Sequence, residues 1–86
     1  MIKIDYKPSF VRQFKKLEPI LQEEVLNKIS LFKKSNNHEQ LKVHKLHGNL
    51  SNYFAFSVDY RIRIVFSWVS KTEVVLRVIG DHDVYK

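Results

Sequence analysis

The second half of the chain constrains the fold more than any other part of the sequence. Residues 53–58, 61–68 and 73–79 are rich in aromatic and β-branched side chains, which predicts three β-strands. The breaks at residues 59–60 and 70–72 are short enough for hairpin turns. We therefore expect these strands to follow one another as hairpins in a single sheet.

The first half of the chain predicts one strand and two helices. Residues 2–6 alternate between apolar and charged side chains, as in a half-buried strand. Pro8 suits the start of a helix, and Pro19 ends that helix and opens a second one. Apolar residues fall at helical spacing in both segments, namely Phe10, Val11, Phe14 and Leu17 in the first and Leu21, Val25, Leu26, Ile29 and Phe32 in the second.

Together these segments predict one α+β domain that comprises residues 1–86. The break between the helices is short, so the two helices should form an antiparallel hairpin. The order of strand, helix, helix and three strands places that hairpin on one face of a four-stranded sheet. By contrast, residues 35–48 show no sustained period and are interpreted as a long loop, and such loops tend to be functional.

Composition excludes several kinds of chemistry. The chain has 86 residues, of which 44% are hydrophobic, and such a composition is typical of a packed globule. It has no cysteine, which excludes disulfides, thiolate catalysis and cysteine-ligated metals. There is no apolar run near twenty residues, and the first residues do not resemble a signal peptide. We therefore expect a cytoplasmic protein without a membrane span.

The charge balance favours a polyanionic partner. The chain carries 15 Lys and Arg against 9 Asp and Glu, a net charge of +6. Such an excess on a small body attracts nucleic acid or an acidic protein. The alternative is a protein that is basic without binding either.

Two arginines in the strand at residues 61–68 are candidates for binding an anion. The side chains of a strand alternate, so Ile62, Ile64, Phe66 and Trp68 share the face toward the helices. Arg61 and Arg63, with Val65 and Ser67, then lie on the opposite, open face. Adjacent guanidinium groups repel each other unless an anion lies between them, and the guanidinium fork suits phosphate. The alternative is a pair of solvated charges.

Histidines supply the candidate proton-transfer groups. His44 and His47 lie in the long loop, and His82 follows the last strand. Histidine titrates nearest to neutral pH, but a loop histidine is often only a polar surface residue. Metal binding by these histidines with Asp81 lacks a recognised ligand spacing, so we predict neither a metal nor another cofactor. Tyr85 is either a fraying terminal aromatic or a platform on which a base stacks.

Taken together, these residues resemble the RelE/ParE superfamily of type II toxin–antitoxin toxins. The resemblance covers most of the chain and is carried by the opening strand and helical hairpin, by HKLHGNLSNYFAFSVDYRIRIVF and by the ending VIGDHDVYK. The His-x-Leu-x-Gly stretch at His44 and the Gly-x-His ending at His82 are similar to the YafQ-like branch. The resemblance implies a helical hairpin on one face of a mostly antiparallel sheet, whose other, concave face is the working surface.

The resemblance also implies the activity and the partners. RelE-like toxins are metal-independent endoribonucleases that cut mRNA in the ribosomal A site. The 2′-hydroxyl attacks the adjacent phosphate and leaves a cyclic phosphate. An acidic antitoxin would neutralise this toxin, and operator DNA would be contacted only through that antitoxin. The rivals are a ParE-like toxin that inhibits DNA gyrase and a non-catalytic module that binds an antitoxin and helps to repress an operon.

The resemblance assigns roles residue by residue. His44 and His82 correspond to the histidines that transfer protons, Arg63 to the arginine at the scissile phosphate, and Tyr85 to the aromatic that orients the nucleotide. We expect substrate contacts in addition from a basic set, namely Lys42, Lys45, His47 and Arg61. Two positions depart from the YafQ pattern, because Arg61 stands where YafQ has an acidic residue and Ser57 stands where it has another histidine.

Overall fold

The structure, a computed structural model, describes residues 1–34, 38–48 and 52–81. In chain order these residues form β1 (Lys3–Tyr6), α1 (Pro8–Lys15), α2 (Pro19–Lys33), α3 (His38–Leu41), β2 (His44–Lys45), β3 (Phe54–Ser57), β4 (Arg63–Trp68) and β5 (Glu73–Gly80). The five strands make one mixed sheet in the order β1-β5-β4-β3-β2. Strand β1 runs parallel to β5, and the other neighbouring pairs are antiparallel.

The predicted α+β class and the helical hairpin are confirmed. Pro8 and Pro19 lie in the first turns of α1 and α2, where a fixed φ suits the helix and a missing N–H leaves no bond unmade. The helices pack on one face of the sheet around Phe32, which is fully buried. The Phe32 ring stacks on Phe56, with centroids 4.7 Å apart, and meets Phe66 edge-on at 4.9 Å. These contacts make the main core and fix the sheet beneath the hairpin.

The prediction of four strands is wrong, because part of the long loop joins the sheet. His44 pairs with Ala55 and Lys45 with Phe54, so β2 adds a fifth strand at the edge beside β3. A short helix, α3, precedes it and buries Leu41 in the main core. The paired segment has only two residues, which is too short for a period-two pattern to be visible in the sequence.

The turn before β4 is longer than predicted. The carboxylate oxygen Oδ1 of Asp59 accepts hydrogen bonds from the backbone N–H groups of Arg61 (2.8 Å) and Ile62 (2.6 Å). These bonds hold residues 59–62 in a turn, and β4 begins at Arg63. Arg61 therefore does not lie beside Arg63 on the face of the strand.

The row of buried apolar residues on α2 is narrower than predicted, because it does not include Leu26. Val25, Ile29 and Phe32 are buried, but Leu26 is 55% exposed. Leu26 lines a small apolar hollow of about 120 Å³ with Tyr6 of β1 and with side chains of α1, among them Phe10. Partial burial raises the pKa of the Tyr6 phenol above its ordinary value.

Side chains of α1 cover the edge of β5 beyond the end of β1. The last pair between these strands is Tyr6 with Leu76. After it, the Ser9 hydroxyl donates to the carbonyl of Arg77 (2.6 Å), and Gln13 Oε1 accepts from the N–H of Ile79 (2.9 Å). These two bonds take the place of a strand partner and hold the last residues of β5 against β4.

Candidate active site

A second, smaller apolar cluster lies on the open face of the sheet, opposite the helices. Leu46, Ala55 and Val65 are buried there, and Tyr53 and Val78 pack against them. The sequence predicts Val65 on this face but does not predict that it is buried. Val65 is buried because its cross-strand neighbours, Ala55 and Val78, are also apolar. This open-face cluster gives the candidate site a rigid floor.

The strand register places His44 and Arg63 on this open face. His44 pairs with Ala55, and Ala55 pairs with Val65, so these three residues form one row across the sheet. Arg63 lies two residues before Val65 on β4 and shares its face. With a strand spacing of about 4.8 Å and a rise of about 3.3 Å per residue, the α-carbons of His44 and Arg63 are about 12 Å apart.

A backbone carbonyl orients the exposed His44 ring. The Nδ1 atom lies 2.9 Å from the carbonyl oxygen of Lys42. A carbonyl only accepts hydrogen bonds, so Nδ1 carries the proton and Nε2 carries the lone pair of the neutral ring. An imidazole held in this tautomer fits a general base.

The same carbonyl belongs to a residue in a strained conformation. Lys42 has φ +55°, in the left-handed region that costs a non-glycine residue about 1 kcal/mol. This conformation turns the chain from α3 into β2. Lys42 comes directly after the last residue of α3, a position at which glycine or asparagine is usually found. The strain thus lies at the residue that positions the His44 ring.

The guanidinium of Arg63 is fixed by the turn that precedes it. One terminal nitrogen donates to the carbonyls of Asp59 (2.7 Å) and Ile62 (3.3 Å), and the other donates to the carbonyl of Tyr60 (2.9 Å). These bonds use three of the five N–H donors of an arginine. Two donors are then available to an anion, and the group cannot swing away without breaking the turn contacts.

The remaining predicted residues are not all brought to this face. Lys45 neighbours His44 on β2 and pairs with Phe54, which packs in the main core, so Lys45 lies on the helix side of the edge strand. Arg61 is exposed in the turn, and His47 is exposed after β2. His82 and Tyr85 lie outside the described residues.

The sequence reasoning missed a basic residue on the open face. The Arg77 guanidinium carbon lies 4.7 Å from the centroid of the Tyr53 ring, and the same group donates to the Ser67 hydroxyl at 3.4 Å. This places a cation stacked on an aromatic ring at the far side of the open-face cluster. The signal in the sequence was an arginine within a strand of mostly apolar residues. The register of β5 against β4 shifts between Val65 and Phe66, so simple alternation does not show which face the Arg77 side chain occupies.

The described residues give no sign of a metal centre or a membrane helix. Within residues 1–34, 38–48 and 52–81, no three ligating side chains of histidine, aspartate or glutamate come together. Over the same residues, no helix has the length and apolar character needed to cross a bilayer.

The helical hairpin and sheet form a fold that is shared with several solved structures, among them a YoeB/ParE toxin and a RelBE2 toxin–antitoxin complex. No family model matches the chain, and no curated protein matches it in sequence. A conserved hypothetical protein from Helicobacter pylori is 24% identical, with a TM-score of 0.72 over 96% of this chain and 97% of that one.

Two further solved structures share the fold, and one of them is a toxin–antitoxin complex. The RelBE2 toxin–antitoxin complex from Mycobacterium tuberculosis matches with a TM-score of 0.75 and 16% identity, over 94% of this chain and 98% of that one. YafQ from E. coli matches with a TM-score of 0.76 and 12% identity, over 98% and 97%. The resemblance expected from the sequence is therefore confirmed at the level of the fold.

Proposed function

We propose that this chain is the toxin of a type II toxin–antitoxin pair and that it cleaves mRNA as a metal-independent endoribonuclease. The main observation behind the proposal is that His44 and Arg63 lie on the same open face of the sheet. The imidazole is held in one tautomer by a carbonyl, and the guanidinium is held by a turn. The shared fold and the net charge of +6 support the same reading.

The proposed reaction has two proton transfers, one from the ribose 2′-hydroxyl to a base and one from an acid to the leaving 5′-oxygen. Nε2 of His44 takes the proton of the ribose 2′-hydroxyl, whose oxygen then attacks the adjacent phosphorus. The bond to the 5′-oxygen breaks, and that oxygen takes a proton from His82. The products are a 2′,3′-cyclic phosphate and a 5′-hydroxyl, and the two histidines could exchange roles. Acid–base catalysis of this kind typically contributes about 10²–10⁴-fold.

Charge and aromatic groups complete the site. The phosphorane carries more negative charge than the starting phosphodiester, and Arg63 faces that charge with one of the two donors that the turn leaves to it. A well-placed donor of this kind contributes about 3–4 kcal/mol to lowering the barrier. Tyr85 would orient the nucleotide by stacking on its base.

The partners follow from the same proposal. The substrate is mRNA in the ribosomal A site, and the basic chain is neutralised by an acidic antitoxin, through which alone it contacts operator DNA. The antitoxin in the complex from M. tuberculosis supports a partner of this kind. The site of action is the cytoplasm, where translating ribosomes are found.

Mapping of mRNA 5′ ends on translating ribosomes tests the activity. Expression of the chain should produce new ends, and His44→Ala and His82→Ala should each remove most of them. Arg12→Ala, exposed on α1 on the helix side, is the control. Cleavage that survives both histidine changes would exclude this mechanism. Gyrase inhibition without cleavage would replace the proposal with the ParE-like alternative.

A further inference from the structure

A hollow beside the candidate active site is lined by three cations from three separate parts of the chain. It lies between α2 and the turn before β4, has a volume of about 230 Å³, and is lined by Lys28, Lys42, Ser57, Asp59, Tyr60 and Arg63, with Val58 at its side. We propose that this basic hollow binds a phosphate group of the RNA backbone. The inference rests on the proposed function for the identity of the RNA, but its geometry is independent of cleavage.

The charges around the basic hollow favour an anion. Lys28 projects from α2, Lys42 follows α3, and Arg63 begins β4, so the fold brings together like charges that repel each other. Asp59 is the acidic member among the described lining residues; its Oδ1 atom accepts from N–H groups of the turn, and the three cations outnumber its single negative charge. A bound phosphate would offset the repulsion among the cations.

The hollow also has donors in fixed positions. The contacts of Arg63 with three carbonyls of the turn hold its guanidinium at the wall, and of the two remaining N–H donors one faces the reacting phosphate of the proposed mechanism and one is left for a phosphate in the hollow. Ser57 pairs with Arg63 across the strands, so its hydroxyl lies on the same face. Donors held in place before binding lose little freedom when the ligand arrives.

The strained backbone of Lys42 is an independent sign that this residue has a task. Glycine or asparagine would adopt φ +55° at lower cost, but neither carries a positive charge into the hollow. The carbonyl of the same residue holds the His44 ring. Lys42 therefore joins the basic hollow to the candidate base, and RNA with one phosphate in the hollow continues toward His44.

Lys28 is the residue that separates this inference from the proposed mechanism, because it lies outside the catalytic set. We expect Lys28→Ala to weaken binding of a single-stranded RNA oligonucleotide that carries a 2′-O-methyl group at every ribose and therefore lacks any attacking hydroxyl. The expected loss is 3- to 10-fold. The slope of log K against log salt should become shallower by about 0.7, the value for one phosphate contact on a single strand.

Lys33→Ala is the matched control. It removes the same charge from the same helix, and Lys33 is exposed in the last turn of α2, outside the hollow. Fluorescence anisotropy at several salt concentrations measures both variants. Equal losses of affinity for the two variants would overturn the inference, because only net charge would then matter.

A second measurement keeps the hollow and the enzyme proposal distinguishable. Titration with inorganic phosphate, followed by NMR, should shift the amide signals of Ser57, Tyr60 and Arg63, and Lys28→Ala should abolish these shifts. Such shifts in a protein that cleaves no RNA would leave the hollow standing and remove the proposed function. Cleavage with an unchanged KM in Lys28→Ala, and no shifts with phosphate, would remove the hollow and leave the function standing.

Discussion

At Arg63 an observed structural role coincides with a proposed role in the site. Its guanidinium closes the turn between β3 and β4 through three carbonyls, and the same group faces the open side of the sheet. A loss of activity on changing Arg63 is therefore informative only when stability is measured as well. The neighbouring Arg61 contributes its backbone N–H to the turn and leaves its side chain exposed.

We expect Arg63→Ala to lower the free energy of unfolding by about 1–2 kcal/mol, because the turn loses charge-assisted hydrogen bonds that are partly exposed to solvent. A domain of this size has a total of about 4–13 kcal/mol, so the variant should still fold. Arg61→Ala should stay within about 0.5 kcal/mol of the parent. Urea denaturation measures both, and equal destabilisation of the two variants would contradict the assigned contacts.

Lys42 and Gly48 offer a paired test of backbone strain. Both have positive φ, at +55° and +70°, but only Lys42 carries a side chain. Lys42→Asn should keep or raise the free energy of unfolding, by up to about 1 kcal/mol, while it lowers affinity for RNA.

Gly48→Ala is the opposite change in the same region of φ. It should cost about 1 kcal/mol, although an added Cβ would meet no atom within 4 Å. Thermal unfolding of both variants checks the pair. Clear destabilisation by Lys42→Asn would show that the lysine side chain stabilises the fold, and the strain would then lose its functional explanation.

At the scale of elements, α1 acts as the partner of the uncovered end of β5. Ser9 and Gln13 bond the backbone of Arg77 and Ile79, where β1 has already ended. The same end of β5 pairs Gly80 with Arg63, so the position of the candidate site depends on this contact between helix and strand.

We expect Gln13→Ala to cost about 1–3 kcal/mol, because it leaves the N–H of the buried Ile79 without its acceptor. Hydrogen exchange should accelerate at Ile79 more than at Val74, which lies nearer the start of β5. Arg12→Ala on the same helix is the control, since its side chain is exposed. Unchanged exchange at Ile79 would show that this bond does not hold the strand.

The elements also show what the sequence reveals and what it conceals. Both helices and the core face of β4 follow from periodicity, because Val25, Ile29 and Ile64 must be buried together. The strand β2 does not follow from periodicity, because two residues are too few to show an alternating pattern and their pairing depends on β3. The turn that removes Arg61 from the sheet depends on the Asp59 carboxylate, whose bonds are a matter of local geometry.

Part of the candidate site was also predictable from the sequence. His44 and Arg63 were found from residue type and alternation together with the family resemblance. Lys28 was not, because a lysine on a helix gives no indication of which distant turn will fold against it. Arg77 was hidden by the bulge in the pairing of β4 and β5. The proton donor assigned to His82 stays a prediction, as does the stacking role of Tyr85.

At the scale of the whole molecule, the two faces of the sheet differ in the side chains that they carry. The helix side buries the aromatic core around Phe32, Phe56 and Phe66, which stabilises the fold. The other side combines a small apolar floor with His44, Arg63 and Arg77. Because stability rests mainly on one face, substitutions of exposed groups on the other can alter function without unfolding the chain.

The chemical ends of the RNA fragments test the central proposal most directly. Purified protein would be added to ribosomes that translate a defined mRNA, and both new termini would be identified by mass spectrometry. We predict a 2′,3′-cyclic phosphate with a 5′-hydroxyl, formed at least about 10²-fold more slowly by His44→Ala. A 3′-hydroxyl with a 5′-phosphate, or fragments formed equally fast by His44→Ala, would contradict the proposed open-face mechanism.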